Sequence, residues 1–238
     1  MDTIFNTTHF HTFLFSSLFY EQMLSSVLFA RDKFCPQVMI PDLAQLFIVG
    51  FYNEDYYHQR LDWTQKEQFG IDFSSVQEDI CSEISIDSCL GVKRDKSHCS
   101  ALNNPNIVTT CCQVFNGDLL EIVENGEHLV DETEFKLILK YDDKRKIHGI
   151  IVYFETHFVQ SENGRLTLTN SPYALPTHWQ QSICLFKEPV GSSDGEAVKG
   201  TIQVKAYSGS KKRRQGIQIL LKIKGRKNDD SQFQYILP

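Results

Sequence analysis

The fold is decided by residues 147–158, which read IHGIIVYFETHF. Most of these residues are β-branched or aromatic, and apolar side chains fall on both faces of an extended chain. A strand that is apolar on both faces has to be covered on both sides. We therefore predict that residues 147–158 form a central, buried strand.

Shorter segments around this strand also predict β-structure. Residues 44–49 are a compact apolar run, and residues 135–141 alternate apolar and mostly charged side chains, as expected for a strand with one wet face. Further strands are predicted at residues 181–187, 201–207, 217–224 and 232–237, with turn-forming residues between them. Only residues 18–33 show a clear helical spacing of apolar positions. The chain is therefore predicted to be mainly β (α+β), with a sandwich or barrel of strands.

The composition limits the class of protein. The chain has 238 residues, of which 41% are hydrophobic and 23% charged, and its net charge is −6. This content of core-forming residues excludes a disordered or fibrous chain, and the negative charge argues against a general nucleic-acid binder. Gly50 is the first of 13 glycines, and no two glycines are separated by a single residue. These 238 residues therefore lack the glycine-rich loop that nucleotide-type cofactors require.

The cysteines and the first residues indicate the compartment. Seven cysteines without a C-x-x-C pair indicate reduced thiols rather than a disulfide scaffold or a metal site. Residues 3–20 carry no Asp, Glu, Lys or Arg, but Asp2 stands where a signal peptide has a basic flank, and His9 and His11 interrupt the apolar run. We expect no signal peptide or membrane span, and an intracellular protein of the nucleus or cytoplasm.

Three short motifs are best explained by structure. Residues 191–195 match the G-x-S-x-G pattern of serine hydrolases, but the strand predicted after them favours a turn. The basic run at residues 211–214 falls between two predicted strands, which favours a hairpin loop over a nuclear address. Cys111 and Cys112 lie in an apolar segment and are interpreted as buried strand residues.

Several segments resemble, in the same order, parts of the protein arginine methyltransferases. Residues 19–33, FYEQMLSSVLFARDK, resemble the second half of the family's double-glutamate loop and the helix that follows it. Pro41 resembles the junction, often a cis-proline, between the family's cofactor domain and its β-barrel. Residues 60–63 (RLDW) and 69–74 (FGIDFS) are similar to its dimerisation arm, and residues 171–181 resemble its threonine-histidine-tryptophan loop. Within the family the chain looks closest to the type I, mainly nuclear branch.

The resemblance implies an architecture of two parts. Residues 1–40 would be a remnant, one helix and one strand, of the S-adenosylmethionine-dependent methyltransferase domain. Residues 41–238 would form the β-barrel, with a dimerisation arm inserted at about residues 51–70. In this family the arm of one subunit packs against the cofactor domain of another. The aromatic residues expected to serve the arm are Tyr56, Tyr57 and Trp63.

The same resemblance implies roles for individual residues. A protonated guanidinium is a poor nucleophile, and the family holds it with two glutamates. Glu21 matches the second glutamate, whereas Thr12 stands at the position of the first. His178 matches the loop histidine, which takes part in orienting or relaying a proton, Trp179 is implied as a substrate contact and Met23 as a cofactor contact. Because a hydroxyl cannot replace a carboxylate opposite a guanidinium, the chain is expected to be inactive on its own.

The implied function is therefore part of protein arginine methylation. The chain would take part in methyl transfer from S-adenosylmethionine to arginine in protein substrates, with the cofactor half supplied from elsewhere. The alternatives are a non-catalytic partner or regulatory subunit of a full-length arginine methyltransferase, and an unrelated β-barrel binding module. No metal, membrane or direct nucleic-acid partner is expected.

Overall fold

The computed structural model describes residues 8–9, 23–65, 70–83, 85–87, 106–122, 128–140, 146–161, 164–175, 177, 179–191, 197–208, 215–224 and 231–237. The helices are α1 (Met23–Phe34), α2 (Glu54–Gln65) and α3 (Gln77–Ser82), and a 3-10 turn (Ser74–Val76) precedes α3. The strands are β1 (Thr8–His9), β2 (Met39–Ile40), β3 (Leu43–Phe51), β4 (Ser85–Asp87), β5 (Ile107–Asp118), β6 (His128–Ile138), β7 (Ile147–Ser161), β8 (Gly164–Thr169), β9 (Gln181–Val190), β10 (Ala197–Ser208), β11 (Gln215–Ile223) and β12 (Ser231–Leu237). The predicted mainly β fold is confirmed. None of the helices described here is long and apolar enough to cross a membrane.

Ten of these strands form two sheets with a shared core. One sheet has the order β12-β11-β10-β6, and the other has the order β4-β9-β7-β3-β5, with β8 paired to the far part of β7. The strand predicted from residues 147–158 is β7, which pairs with β3, β8 and β9 and is therefore central, as expected. Side chains from both sheets meet in one buried cluster, which includes Ile48, Phe186, Leu137 and Tyr235.

The sheets are joined at two corners by isolated contacts. Thr109 and Leu139 form a single bridge between β5 and the end of β6. At the other corner, the Tyr235 hydroxyl donates to the carbonyl of Leu185 at 3.2 Å. Because the two sheets are twisted, their edge strands diverge from each other, and hydrogen bonds between the sheets form only where these edge strands come close. Within the described residues, the predicted barrel is therefore two sheets joined at corners, without a continuous ring of strand pairing.

Helix α1 is fixed to the β-domain by one buried face and one arginine. Val27 and Leu28 are buried, in agreement with the helical spacing of the sequence. The Arg31 guanidinium donates to the carbonyls of Leu119, at 3.3 Å, and Ile122. Both carbonyls belong to the turn after β5, so the helix and the sheet are held together by charge-assisted hydrogen bonds.

The junction after α1 has the geometry that the resemblance implied. The Ile40–Pro41 peptide is cis. Just before it, β2 pairs in parallel with β1, with Thr8 opposite Met39, in a small sheet of its own. Strand β3 of the β-domain begins two residues after Pro41. A helix followed by a strand was expected within residues 1–40, and α1 and β2 have this order.

Among the short motifs, the cysteine pair needs a correction. Cys111 is exposed and Cys112 is half-buried, because neighbouring residues of strand β5 point to opposite faces. The prediction of two buried cysteines was therefore wrong, although the strand itself is present. Residues 192–196 and 211–214 lie outside the described residues. Strand β10 follows the first motif, and β10 and β11 pair as antiparallel neighbours on either side of the second, as predicted.

Candidate functional site

The residues predicted to take part in methyl transfer are only partly described. Glu21, His178 and Thr12 lie outside the described residues. Met23 is the first residue of α1. Trp179 is described and is half-buried. The candidate site therefore has to be built from the loop that carries Trp179.

Trp179 lies on the loop between β8 and β9 and packs against the main core. Its ring meets the ring of Phe154 edge to face, with centroids 6.0 Å apart. Phe154 belongs to the central strand β7. The indole is thus located against the most buried strand of the sheet, which limits the positions that it can take.

The side chain of Asn170 connects this loop to β7. Its Oδ1 accepts the N–H of Phe154 at 2.8 Å, and its Nδ2 donates to the carbonyl of Gln180. The side chain of Gln181 in turn donates through Nε2 to the main-chain carbonyl of Asn170 at 2.6 Å. Asn170 and Gln181 are both buried, where an unmade hydrogen bond is costly. The two ends of the ten-residue loop 171–180 are therefore held together.

Turns within the loop bring its remaining residues together. The N–H of Ala174 donates to the carbonyl of Ser171 at 3.0 Å, and the N–H of Gln180 donates to the carbonyl of Thr177 at 3.2 Å. Gln180 itself has a positive φ of 54°, in the left-handed region that favours glycine. Two buried oxygens of this region, Thr177 Oγ1 and Gln181 Oε1, have no hydrogen-bond partner within the part of the chain that the structure describes.

The predicted arm begins with a capped helix. The Oδ1 of Asn53 accepts the N–H of Tyr56 at 3.0 Å, which satisfies one of the free donors of the first turn of α2. Glu54 and Asp55 place negative charge at the positive end of the helix dipole. Local sequence alone thus favours a helix that starts at Glu54.

A histidine of the central strand anchors the start of this helix. The ring of His148 packs against those of Tyr52 and Tyr57, with centroid distances of 4.5 Å and 4.7 Å. Its Nδ1 accepts the N–H of Asn53 at 3.1 Å, and burial lowers its pKa, so the ring is neutral with its proton on Nε2. The Tyr57 hydroxyl donates to the carbonyl of Lys187, and burial raises the pKa of Tyr57 to about 12.

The rest of the helix packs on the outer face of the same sheet. Leu61 is completely buried in a second apolar cluster with Phe51 and Ile151. Tyr56 and Tyr57 pack against this cluster and are half-buried. They therefore attach the arm to its own sheet, and their predicted role in contacts with another subunit stays a prediction.

The other side of α2 faces the solvent. Glu54, Asp55, His58 and Gln59 are exposed there. His58 and Asp62 lie one turn apart with 2.9 Å between Nδ1 and Oδ1, and this hydrogen bond raises the pKa of His58. Trp63 lies near the end of the same helix. The arm thus presents a preformed helix with one anchored side and one exposed side.

Comparison with known proteins identifies the family. The model of the family described as "Arginine methyltransferase oligomerization subdomain" matches residues 42–226, which is more than half of the chain. The chain belongs to the protein arginine methyltransferase family. Protein arginine N-methyltransferase 1 of Dictyostelium discoideum is 30% identical over 188 residues, which cover 78% of this chain and 49% of that protein. Probable protein arginine N-methyltransferase 3 of Arabidopsis thaliana is 27% identical over 196 residues, covering 77% of this chain and 29% of that protein.

Solved structures of arginine methyltransferases share the fold. A Trypanosoma brucei structure described as a PRMT1 enzyme-prozyme heterotetrameric complex with AdoHcy gives a TM-score of 0.73 at 24% identity, covering 93% of this chain and 65% of that chain. Protein arginine methyltransferase 10 of Arabidopsis thaliana, in an open conformation, gives 0.64 at 17% identity, covering 92% and 66%. The chain thus spans about half the length, or less, of the first curated relatives and about two thirds of these structures.

Three residues of this arginine methyltransferase fold had escaped the sequence analysis. His148 anchors the arm, and Asn170 and Gln181 hold the loop of Trp179. A polar residue inside the apolar run of β7 was a usable signal for His148. Gln181 ends the segment 171–181 that resembles the family's loop, but no role was predicted for it, and Asn170 lies just before that segment. Among the residues described, no group of three His, Cys, Asp or Glu side chains could hold a metal ion.

Proposed function

We propose that this chain acts in protein arginine methylation as an assembly subunit, in the nucleus or the cytoplasm. Its arm would bind a second arginine methyltransferase chain, and that chain would hold S-adenosylmethionine. The arm carries this proposal. Helix α2 is capped by Asn53, anchored through Tyr57 and Leu61, and exposed on its other side. A helix that is ordered before binding loses less conformational entropy when a partner docks on it.

The comparisons support an assembly of this kind. The matching family model is that of an oligomerization subdomain. One structural neighbour is a complex of an enzyme with a prozyme, in which AdoHcy is present. Pairing between unlike chains of one family is therefore a reasonable arrangement for this chain.

We assign S-adenosylmethionine to the second chain because of the sequence. These 238 residues carry no glycine-rich loop, and Thr12 stands where the family has its first glutamate. Of the residues predicted to touch the cofactor or the guanidinium, Met23 and Trp179 are the ones described. Trp179 would contribute to the binding of an arginine in a protein substrate.

A second candidate function is methyl transfer itself, through Glu21 and His178. One observation favours it: the loop next to His178 is held by buried hydrogen bonds from Asn170 and Gln181. A loop held in place in this way is suited to carrying a side chain that binds or orients a substrate.

Association with a full-length arginine methyltransferase tests the first proposal. The two chains are mixed, and the mass of the complex is measured by light scattering after size exclusion. We expect a stable complex that is lost in Trp63→Ala and kept in the control Leu166→Ala, which alters an exposed apolar residue on β8. A chain that stays monomeric in the mixture contradicts the proposal.

Titration of the isolated chain with S-adenosylmethionine separates the two functions. The assembly subunit is expected to show no saturable heat of binding on its own. Saturable binding at micromolar concentration, together with transfer of a labelled methyl group to an arginine-rich peptide, would favour the second function instead.

A further inference from the structure

The loop of Trp179 is closed by two side-chain amides, one at each end of the loop. Asn170 follows β8 and Gln181 begins β9, and the hydrogen bonds of both amides end on the backbone of residues 154, 170 and 180. We infer that Asn170 and Gln181 are positioning residues, whose amides fix the place of Trp179. This inference rests on the proposed function only in what the loop would bind.

The backbone conformation that most needs support from surrounding contacts lies directly after Trp179, at Gln180. Gln180 adopts a φ of 54°, a conformation that residues with a side chain rarely take. Such a conformation persists only where surrounding contacts over-determine it. The hydrogen bond from Asn170 Nδ2 to the carbonyl of Gln180 is one of these contacts. It holds the chain at the point where the loop turns into β9.

Asn170 also fixes the position of the loop relative to the central strand β7. Its Oδ1 binds the N–H of Phe154, and the ring of Phe154 touches the indole of Trp179. Trp179 is therefore located relative to β7 twice, once through the backbone and once through the ring contact. If the hydrogen bonds of this side-chain amide are lost, we expect the indole of Trp179 to be the first group that moves.

The pairing of β7 with β9 does not include these bonds. The two strands pair through a separate ladder that runs from Ile147 to Val152, and the Asn170 side chain reaches β7 at Phe154, beyond the end of that ladder. Removal of one amide should therefore open the loop and leave the strands paired, since proteins open locally in cooperative units.

The fluorescence of Trp179 reports the position of the loop. The chain has two tryptophans, so Trp63→Phe leaves Trp179 as the single indole. In this background we compare Asn170→Ala and Gln181→Met, which keeps the side-chain volume and removes the amide. The matched control is Asn116→Ala, which removes a side-chain hydrogen bond of 2.7 Å with Gln45 on the same sheet.

Quenching by acrylamide is measured well below the unfolding temperature, with circular dichroism as the test of folding. We expect the quenching constant to rise about two-fold or more in Asn170→Ala and Gln181→Met, with unchanged circular dichroism, and to stay the same in Asn116→Ala. Unchanged quenching in both variants overturns the inference. Loss of the folded spectrum in both also overturns it, because the amides would then hold the sheet and not the loop. The isolated chain is used, so this test can fail independently of the association with a methyltransferase.

Discussion

Replacement of Leu61 by alanine should loosen the arm. Leu61 has no exposed surface and fills the space between α2 and the outer face of the large sheet. Removal of its γ and δ carbons would leave a cavity bordered by Phe51 and Ile151, which belong to paired strands and cannot close the cavity. Leucine-to-alanine changes in cores cost roughly 3–5 kcal/mol, and we expect about 3 kcal/mol here because α2 can relax from one side.

Two measurements check this value. Urea unfolding gives the change in the free energy of unfolding, which corresponds to a fall in Tm of roughly 6–12 °C for a domain of this size. Hydrogen exchange of residues 54–65 shows whether the loss is local to the arm. The control is Ile71→Ala, at a residue just after the arm that is 55% exposed, for which we expect a change within about 0.5 kcal/mol.

Either of two results would contradict a separately anchored arm. A loss below about 1 kcal/mol in Leu61→Ala would mean that the second cluster does not hold the arm. Unchanged exchange of residues 54–65 despite a large global loss would mean that α2 and the sheet unfold as one unit, so that the arm is not a separable element.

Three further changes test other contacts. Acidification should weaken the attachment of α2, because burial lowers the pKa of His148: the neutral ring stabilises the folded chain above its ordinary pKa near 6.5, and this contribution is lost as the pH falls through the folded-state pKa. The protection of the α2 amides against hydrogen exchange, measured as a function of pH, tests this prediction. Protection that stays constant below pH 6.5 would contradict it. Gly200→Ala should cost about 3 kcal/mol in urea unfolding, since its Cβ would lie 2.0 Å from the carbonyl oxygen of Lys222; a near-neutral result would contradict this geometry. Arg31→Met should lower the free energy of unfolding by about 2 kcal/mol, because two carbonyls lose their donor. Lys33→Met, which removes the same charge at an exposed neighbour, should leave the free energy of unfolding nearly unchanged. Equal effects of the two changes would show that the charge, and not the hydrogen bonds to the carbonyls, stabilises the chain.

The pattern of apolar positions predicted most of the strands, because burial of one or both faces of a strand determines which of its residues are apolar. The run at residues 147–158 predicted β7, and the alternation at residues 135–141 matches β6, where Phe135 and Leu137 are buried while Lys136 is exposed. Strand β8 was not predicted. Its residues carry no strong apolar pattern, and it forms because they pair with the far part of β7.

The arm was predicted from its resemblance to the family, but the direction of its aromatic residues was not. Tyr56, Tyr57 and Trp63 were expected to serve contacts of the arm. In the structure, Tyr57 and Leu61 share one helix face and turn it toward the sheet. Their spacing of four residues was present in the sequence, yet a polar helix of this length does not reveal which side is covered.

The candidate site was predictable only where a motif exists. The loop was found from its threonine-histidine-tryptophan pattern, which marks Trp179. The roles of Asn170 and Gln181 could not be predicted in this way, because an amide near a loop is common and its partners are backbone groups far along the chain. Phe154, for example, is sixteen residues from Asn170. Contacts of this kind follow from the assembled sheet and not from local sequence.

The arm and the loop are attached to one strand, and this connects the two halves of the proposed function. His148 holds the start of the arm and Phe154 holds the loop, and both belong to β7. They are six positions apart along an extended strand, which corresponds to roughly 20 Å. Since β7 is paired on both sides and buried, this separation cannot vary much. A partner that docks on the arm would therefore meet the loop of Trp179 at a fixed distance, without any further contact between the two chains to set it.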